Sequence, residues 1–171
     1  MNDKVKKIIK EIYPYIIIIV CVVLFRTFIA TPVRVDGGSM DHTLHNNDIL
    51  ILNKLDKSFK RFDVVVINAN GSKLVKRIIA LPGENIEYKD NKLYINGKEM
   101  KDASKRRTLD FSLEELYDIK KIPNNYYFVM GDNRGNSLDS RDYRVGLINK
   151  KDIVGTTKFR IFPFNKIGTF K

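Results

Sequence analysis

The sequence predicts a mainly β domain, two small sheets or a partly closed barrel, carried behind one N-terminal transmembrane helix. Three observations predict it. An apolar run from Ile12 to Ala30 holds a single charge, Arg26. After Pro32 the pattern changes to short β-rich runs, and turn-forming residues separate nearly every pair of them.

The N-terminal segment comes first. Lys4, Lys6, Lys7 and Lys10 precede the apolar run. A span needs roughly 20 mostly apolar residues to cross a ~30 Å hydrocarbon core, and this one suffices. Ile16 to Leu24 is apolar on every face, which suits lipid better than a soluble core. Tyr13 and Tyr15 stand where interfacial aromatics belong, and Arg26 can extend its long side chain to the far interface. A cleaved secretory signal shares this layout, but no convincing small-x-small site follows and Pro32 crowds the best candidate. The four lysines place the N-terminus in the cytoplasm. The expected organisation is a basic cytoplasmic tail over 1–11, an anchor over 12–30 and an extracytoplasmic domain over 31–171.

Within that domain, "VRV", "DILILNKL", "FDVVVIN", "KLVKRIIAL", "NIEY", "KLYING", "YYFVMG" and "IVGTTKFRIF" read as strands. Their punctuation includes "NANGS", "LPGE", "NGK", "IPNN" and "GDNRGNS". One stretch, Ser112 to Lys120, reads as a helix, with Ser112 and Glu115 spaced as a capping box.

A formal charge of +11 invites a nucleic-acid partner, but the basic residues are dispersed and no zinc-finger spacing or aromatic-glycine motif accompanies them. No nucleic acid is therefore expected, and an anionic membrane surface accounts for the charge as well. The only cysteine, Cys21, lies inside the apolar run, so the domain folds without intrachain disulfides.

The chemistry-bearing residues start at "DGGSMDHTL", where Ser39 is a candidate nucleophile in need of a base. His42 and His45 are three and six residues away, whereas a base must approach along a defined line and usually comes from another part of the fold. As H-x-x-H they lack further ligands for a metal. In "KLVKRIIAL", alternation puts Lys76 on a face with Leu74, Ile78 and Ala80, the one charge among apolar neighbours. Burial there favours the neutral amine, which can act as a base, and arginine cannot. The pattern also allows a lysine whose stem packs while its head reaches water, which is the commoner fate of lysines in strands. "GDNRGNSLDSR" fails as a calcium loop because Arg134 occupies a ligand position. Asp139 and Arg141 could brace it through a charge-assisted pair, and Ser137 offers a hydroxyl.

Together "PVRVDGGSM", "KRIIALPGE", "VMGDNRGNSLDSR" and the closing "FRIFPFNKIG" resemble bacterial type I signal peptidase, in the family's order and from the anchor to the C-terminus. The single anchor is similar to the short Gram-positive-type members, and the lysine separates the chain from the histidine-using branch. The resemblance implies an antiparallel-sheet catalytic domain with a variable second region, here short and around 84–123. It implies a serine endopeptidase that removes signal peptides from secreted preproteins at the membrane, with no cofactor. Ser39 would be the nucleophile and Lys76 the general base; Ser137 would orient the lysine, with Asp139 and Arg141 supporting the loop. Two positions depart from the family's pattern. His42 stands where S-M-x-P-T-L has proline, and Gly37 stands where some members carry an oxyanion-donating serine. A self-cleaving repressor-type protease with a similar serine–lysine pair is a competing reading, but no DNA-binding module precedes this domain. A non-enzymatic basic surface domain is another.

Overall fold

The computed structural model describes residues 3–69 and 71–170, with side chains from Lys10 onward. The tip of the "NANGS" turn and the side chains of Lys4, Lys6 and Lys7 lie outside the described residues.

The first helix, α1 (Asp3–Leu24), continues into a π-helical turn at Phe25–Ile29. The stretch Lys10–Ile29 is long and apolar enough to cross a membrane, and none of it is buried by the rest of the chain. Twenty residues at ~1.5 Å each give a length of about 30 Å. Carbonyls at a helix end lack intrahelical partners, and here Lys54 Nζ donates to Arg26 O at 2.8 Å and Thr27 O at 3.1 Å. That bond pair ties the helix end to the sheet.

The strands follow as β1 (Ala30–Arg34), β2 (Ile49–Asn53), β3 (Val64–Ala69), β4 (Ser72–Ala80), β5 (Ile86–Lys89), β6 (Lys92–Ile95), β7 (Lys98–Met100) and β8 (Phe111–Ser112). After the short helix α2 (Leu113–Tyr117) come β9 (Tyr126–Met130), β10 (Ile148–Asn149), β11 (Ile153–Phe162) and β12 (Gly168–Thr169). All eight runs read as strands from the sequence are strands. The four that were not foreseen, β7, β8, β10 and β12, are two or three residues long, too short to show alternation. The helix ends earlier than its pattern suggests. Asp118 takes the left-handed conformation (φ 54°), and its N–H closes on Glu114 O. The capping box between Ser112 and Glu115 is present.

Two antiparallel sheets result. The larger has eight strands in the order β1-β2-β11-β3-β4-β9-β10 with β12 on β11, and the smaller is β7-β6-β5-β8. Strand β4 is the hinge of the packing, because both its faces are covered. On one side Ile78 packs with Val65, Ile67, Val129 and Ile153. On the other, Ile79 and Ala80 join Phe128 and Met130 against Tyr88, Leu93 and Phe111 of the smaller sheet. Ala80 leaves the Lys76 face expected from strict alternation because the pairing with β9 shifts register between Ile78 and Ala80. Phe111 stacks on Phe128 with centroids 5.6 Å apart. A third cluster, Val35, Met40, Leu44, Leu50 and Val64, pins the turn that follows β1.

Candidate active site

Ser39 sits in that turn. The chain leaving β1 is held by Val35 N–H to Asp48 O (2.8 Å) and Asn47 N–H to Val35 O (2.9 Å). It then reverses at Gly37, whose φ of +84° favours glycine and whose N–H donates to Asn46 Oδ1. Met40 and Leu44 are fully buried, and their N-H and C=O groups close one helical turn behind the serine, Leu44 N–H to Met40 O at 2.9 Å. Burial of these two apolar side chains fixes the position of the hydroxyl between them and Gly38.

Lys76 comes from β4, opposite Val65 of β3. It is 2 % exposed, and its Nζ lies 2.7 Å from Ser39 Oγ. Desolvation brings the amine down to about 8; the Asp139 charge opposes this, the Arg141 charge assists it, and Asp132 opposes it. The structure thus brings Lys76 to Ser39 across 37 residues of sequence. It does not bring His42 or His45, both exposed. His42 lines a surface cavity with Ala103, Lys105 and Phe170.

The loop after β9 supplies the rest. Asp139 is fully buried; its carboxylate accepts from Gly131 N–H (3.0 Å) and from Arg141 Nε and Nη2 at 2.9 and 2.8 Å. Burial pushes this carboxyl up, but the Arg141 hydrogen bonds and charge, then the Gly131 N–H, hold it below the usual carboxylate range. Ser137 adds only weakly to this. Its Oγ is buried and meets no partner in hydrogen-bond geometry among the described residues. Lysine orientation is therefore not carried by a Ser137 hydrogen bond in this structure. A Cβ on Gly131 would collide with the Ser137 side chain and the Ser39 carbonyl, so that position has room for glycine alone. Gly37 offers no side chain, and its strained φ disfavours any replacement.

Three further residues of this loop, Arg134 among them, have roles that the sequence does not assign. Asp132 forms a two-pronged pair with buried Arg77, Nε–Oδ1 2.8 Å and Nη2–Oδ2 2.6 Å, and accepts from Thr43 Oγ1 at 2.5 Å. Asn133 grips both carbonyls beside the serine, Nδ2 to Gly38 O and N–H to Ser39 O, each at 3.0 Å. Arg134 reaches into the smaller sheet, to Tyr88 Oη at 2.6 Å and Asp102 at 2.5 and 2.8 Å. The available signal was Arg77 itself, since a buried guanidinium demands a carboxylate.

Chemically, the arrangement offers a hydroxyl beside a desolvated amine with a movable proton. Among the described residues, no backbone carbonyl of the turn accepts from the Ser39 N–H.

Comparison with known proteins places the chain in a family. A family model described as signal peptidase, peptidase S26, matches residues 6–162. Signal peptidase I S of Bacillus subtilis (strain 168) is 44% identical over 175 residues, covering 96% of this chain and 95% of the relative. Signal peptidase I P of Bacillus subtilis subsp. natto is 43% identical over 182 residues, 98% of each chain. A crystal structure of a signal peptidase I from Enterococcus faecalis V583 is similar at TM-score 0.53 and 35% identity, covering 58% of this chain and 96% of that one. With a family match across most of its length and relatives of this identity at nearly full coverage, the chain belongs to the signal peptidase family, peptidase S26, as a bacterial type I signal peptidase.

Proposed function

We propose that the protein is a membrane-bound serine endopeptidase that removes N-terminal signal peptides from exported preproteins, with Ser39 as nucleophile and Lys76 as general base. One observation carries the reading: a lysine 2 % exposed holds its amine 2.7 Å from the serine hydroxyl.

Neutral Lys76 takes the Ser39 proton as Oγ attacks the scissile carbonyl. The resulting ammonium returns that proton to the leaving amine, and an ester to Ser39 remains. Lys76 then deprotonates water, which attacks the ester and frees Ser39. The developing oxyanion would be met by the Ser39 N–H; Gly37 contributes no side-chain donor, and its own N–H is engaged by Asn46. Asp139 and Arg141 tune the amine by opposing charges and hold the loop, and Ser137 would touch the lysine during turnover.

The substrate enters as an extended strand. β9 pairs with β4 only from Arg77 onward, so on that side the edge of β4 before Lys76 carries no strand among the described residues and can accept one from the substrate. The N-terminal helix serves as a single-pass anchor, its lysine-bearing end cytoplasmic and the β domain extracytoplasmic. About nine residues from Ala30 to Ser39 keep the site within roughly 30 Å of the membrane.

Cleavage of a model precursor by the full chain in lipid tests the dyad. Ser39→Ala, Lys76→Ala and Lys76→Arg are each expected to lose about 10⁴-fold in kcat. Retained activity in Lys76→Arg overturns the assignment of the base.

A further inference from the structure

We infer that the protein carries a second site, for the phosphate-bearing headgroup of an anionic phospholipid, in a cavity walled by Lys57, Lys150 and Lys151. The cavity holds about 690 Å³, and its remaining wall is formed by asparagine side chains with Tyr126 and Ile153. Among the described residues, no carboxylate lines it. Asp56 and Asp152 are sequence neighbours of the lysines, and Asp56 is engaged by the Ser58 N–H at 2.9 Å. Among the described residues, none of the three lysines is in an ion pair. Three lysines lining one hollow, with no carboxylate paired to them among the described residues, call for an anion.

The position in the fold says which anion. Ala30, where the helix gives way to β1, pairs with Asn53, and Asn53 pairs with Thr156 of β11. The cavity lies just past this level, at Ile153, where Lys57 Nζ donates to Val154 O at 3.1 Å. Lys54, which grips the carbonyls of Arg26 and Thr27, is three residues before Lys57 and so within roughly 10 Å of it. A hollow that close to the end of a membrane span is held in the headgroup layer, within a Debye length of the lipid phosphates. Lysines at that depth are drawn to anionic lipid, and asparagine amides can donate to headgroup oxygens. Neither Ser39 nor Lys76 lines the cavity, and its lysines take no part in the proposed chemistry.

Amide hydrogen exchange on the full chain in nanodiscs tests this. Phosphatidylglycerol is raised from zero to 30 mol% in phosphatidylcholine, with wild type compared to Lys150→Gln/Lys151→Gln. Exchange of the 149–154 and 55–57 amides is expected to slow as phosphatidylglycerol rises, with half-effect on the order of tenfold more anionic lipid in the variant. Precursor cleavage by the variant in neutral lipid is expected to match wild type, which shows that it is folded. Equal responses in the two proteins overturn the site. So does full protection by millimolar inorganic phosphate in pure phosphatidylcholine, which assigns the cavity to free phosphate.

Discussion

The two faces of β4 hold adjacent buried cations with opposite environments. Arg77, 3 % exposed, meets a carboxylate in two-pronged geometry, and its Nη1 donates to Phe62 O at 2.8 Å. Lys76, 2 % exposed, meets a hydroxyl and feels carboxylates only at a distance. One charge is locked and structural; the other is destabilised and can give up its proton. A strand's two-residue period is what lets neighbours in sequence serve such different ends.

The sharpest way to break this contrast is to make the same substitution on both faces. Arg77→Met strands the Asp132 carboxylate in the core, and the loss is expected to be about 3–5 kcal/mol. Thermal unfolding of the full chain in detergent reads it, and an Asp132→Asn partner change should recover part of it. Recovery would show that the stranded charge, not lost packing, carries the cost.

Lys76→Met acts with the opposite sign. The folded protein holds the amine near 8 against 10.5 for the free side chain, so between these values the unfolded chain binds more protons. Stability therefore rises with pH across that window, and below about 8 the full cost of the buried ammonium is present. Removing it is expected to stabilise the protein at pH 7 by on the order of 3 kcal/mol and to flatten the pH dependence from 8 to 10.5. A destabilised Lys76→Met would mean that the amine's contact with Ser39 outweighs its desolvation.

The contrast also marks what the sequence could disclose. Alternation along "KLVKRIIAL" separates Lys76 from Arg77 and places the lysine among apolar neighbours, so the buried base was legible. All the longer strands were legible for the same reason. The partner of Arg77 was not, because Asp132 is 55 residues away and a loop of opposite charges offers several equal candidates. Asn133 was hidden for a related reason: its hold on Gly38 O and Ser39 O is made across the fold, by a residue type common in any turn. Ser137 was legible as a hydroxyl near the site, but whether that hydroxyl meets the amine depends on side-chain torsions that no pattern encodes.

Charge neighbours give a smaller, signed test. Asp139 raises the Lys76 pKa and Arg141 lowers it. The acid limb of kcat/KM, expected near pH 8 in the wild type, should move to lower pH in Asp139→Asn and to higher pH in Arg141→Met. Shifts in one common direction would mean that both variants act by loosening the loop, not through charge.

Ser137→Ala is expected to have the smallest effect, and it separates two roles that a static hydroxyl cannot. Because Ser137 Oγ is buried without a partner in good hydrogen-bond geometry and acts only weakly on Asp139, deleting it sacrifices little, and stability is expected to stay within about 1 kcal/mol of wild type. If the hydroxyl turns to the amine once Ser39 is acylated and its oxygen is no longer free to hold Lys76, kcat falls about three- to tenfold with KM unchanged, the worth of one hydrogen bond. The loss would then appear in hydrolysis of the acyl-enzyme, so a burst of first product would precede a slow steady state. An unchanged kcat with unchanged stability would leave the Gly131–Ser137 contact as close packing beside the nucleophile's carbonyl, and the lysine would be positioned by its strand and by Ser39 alone.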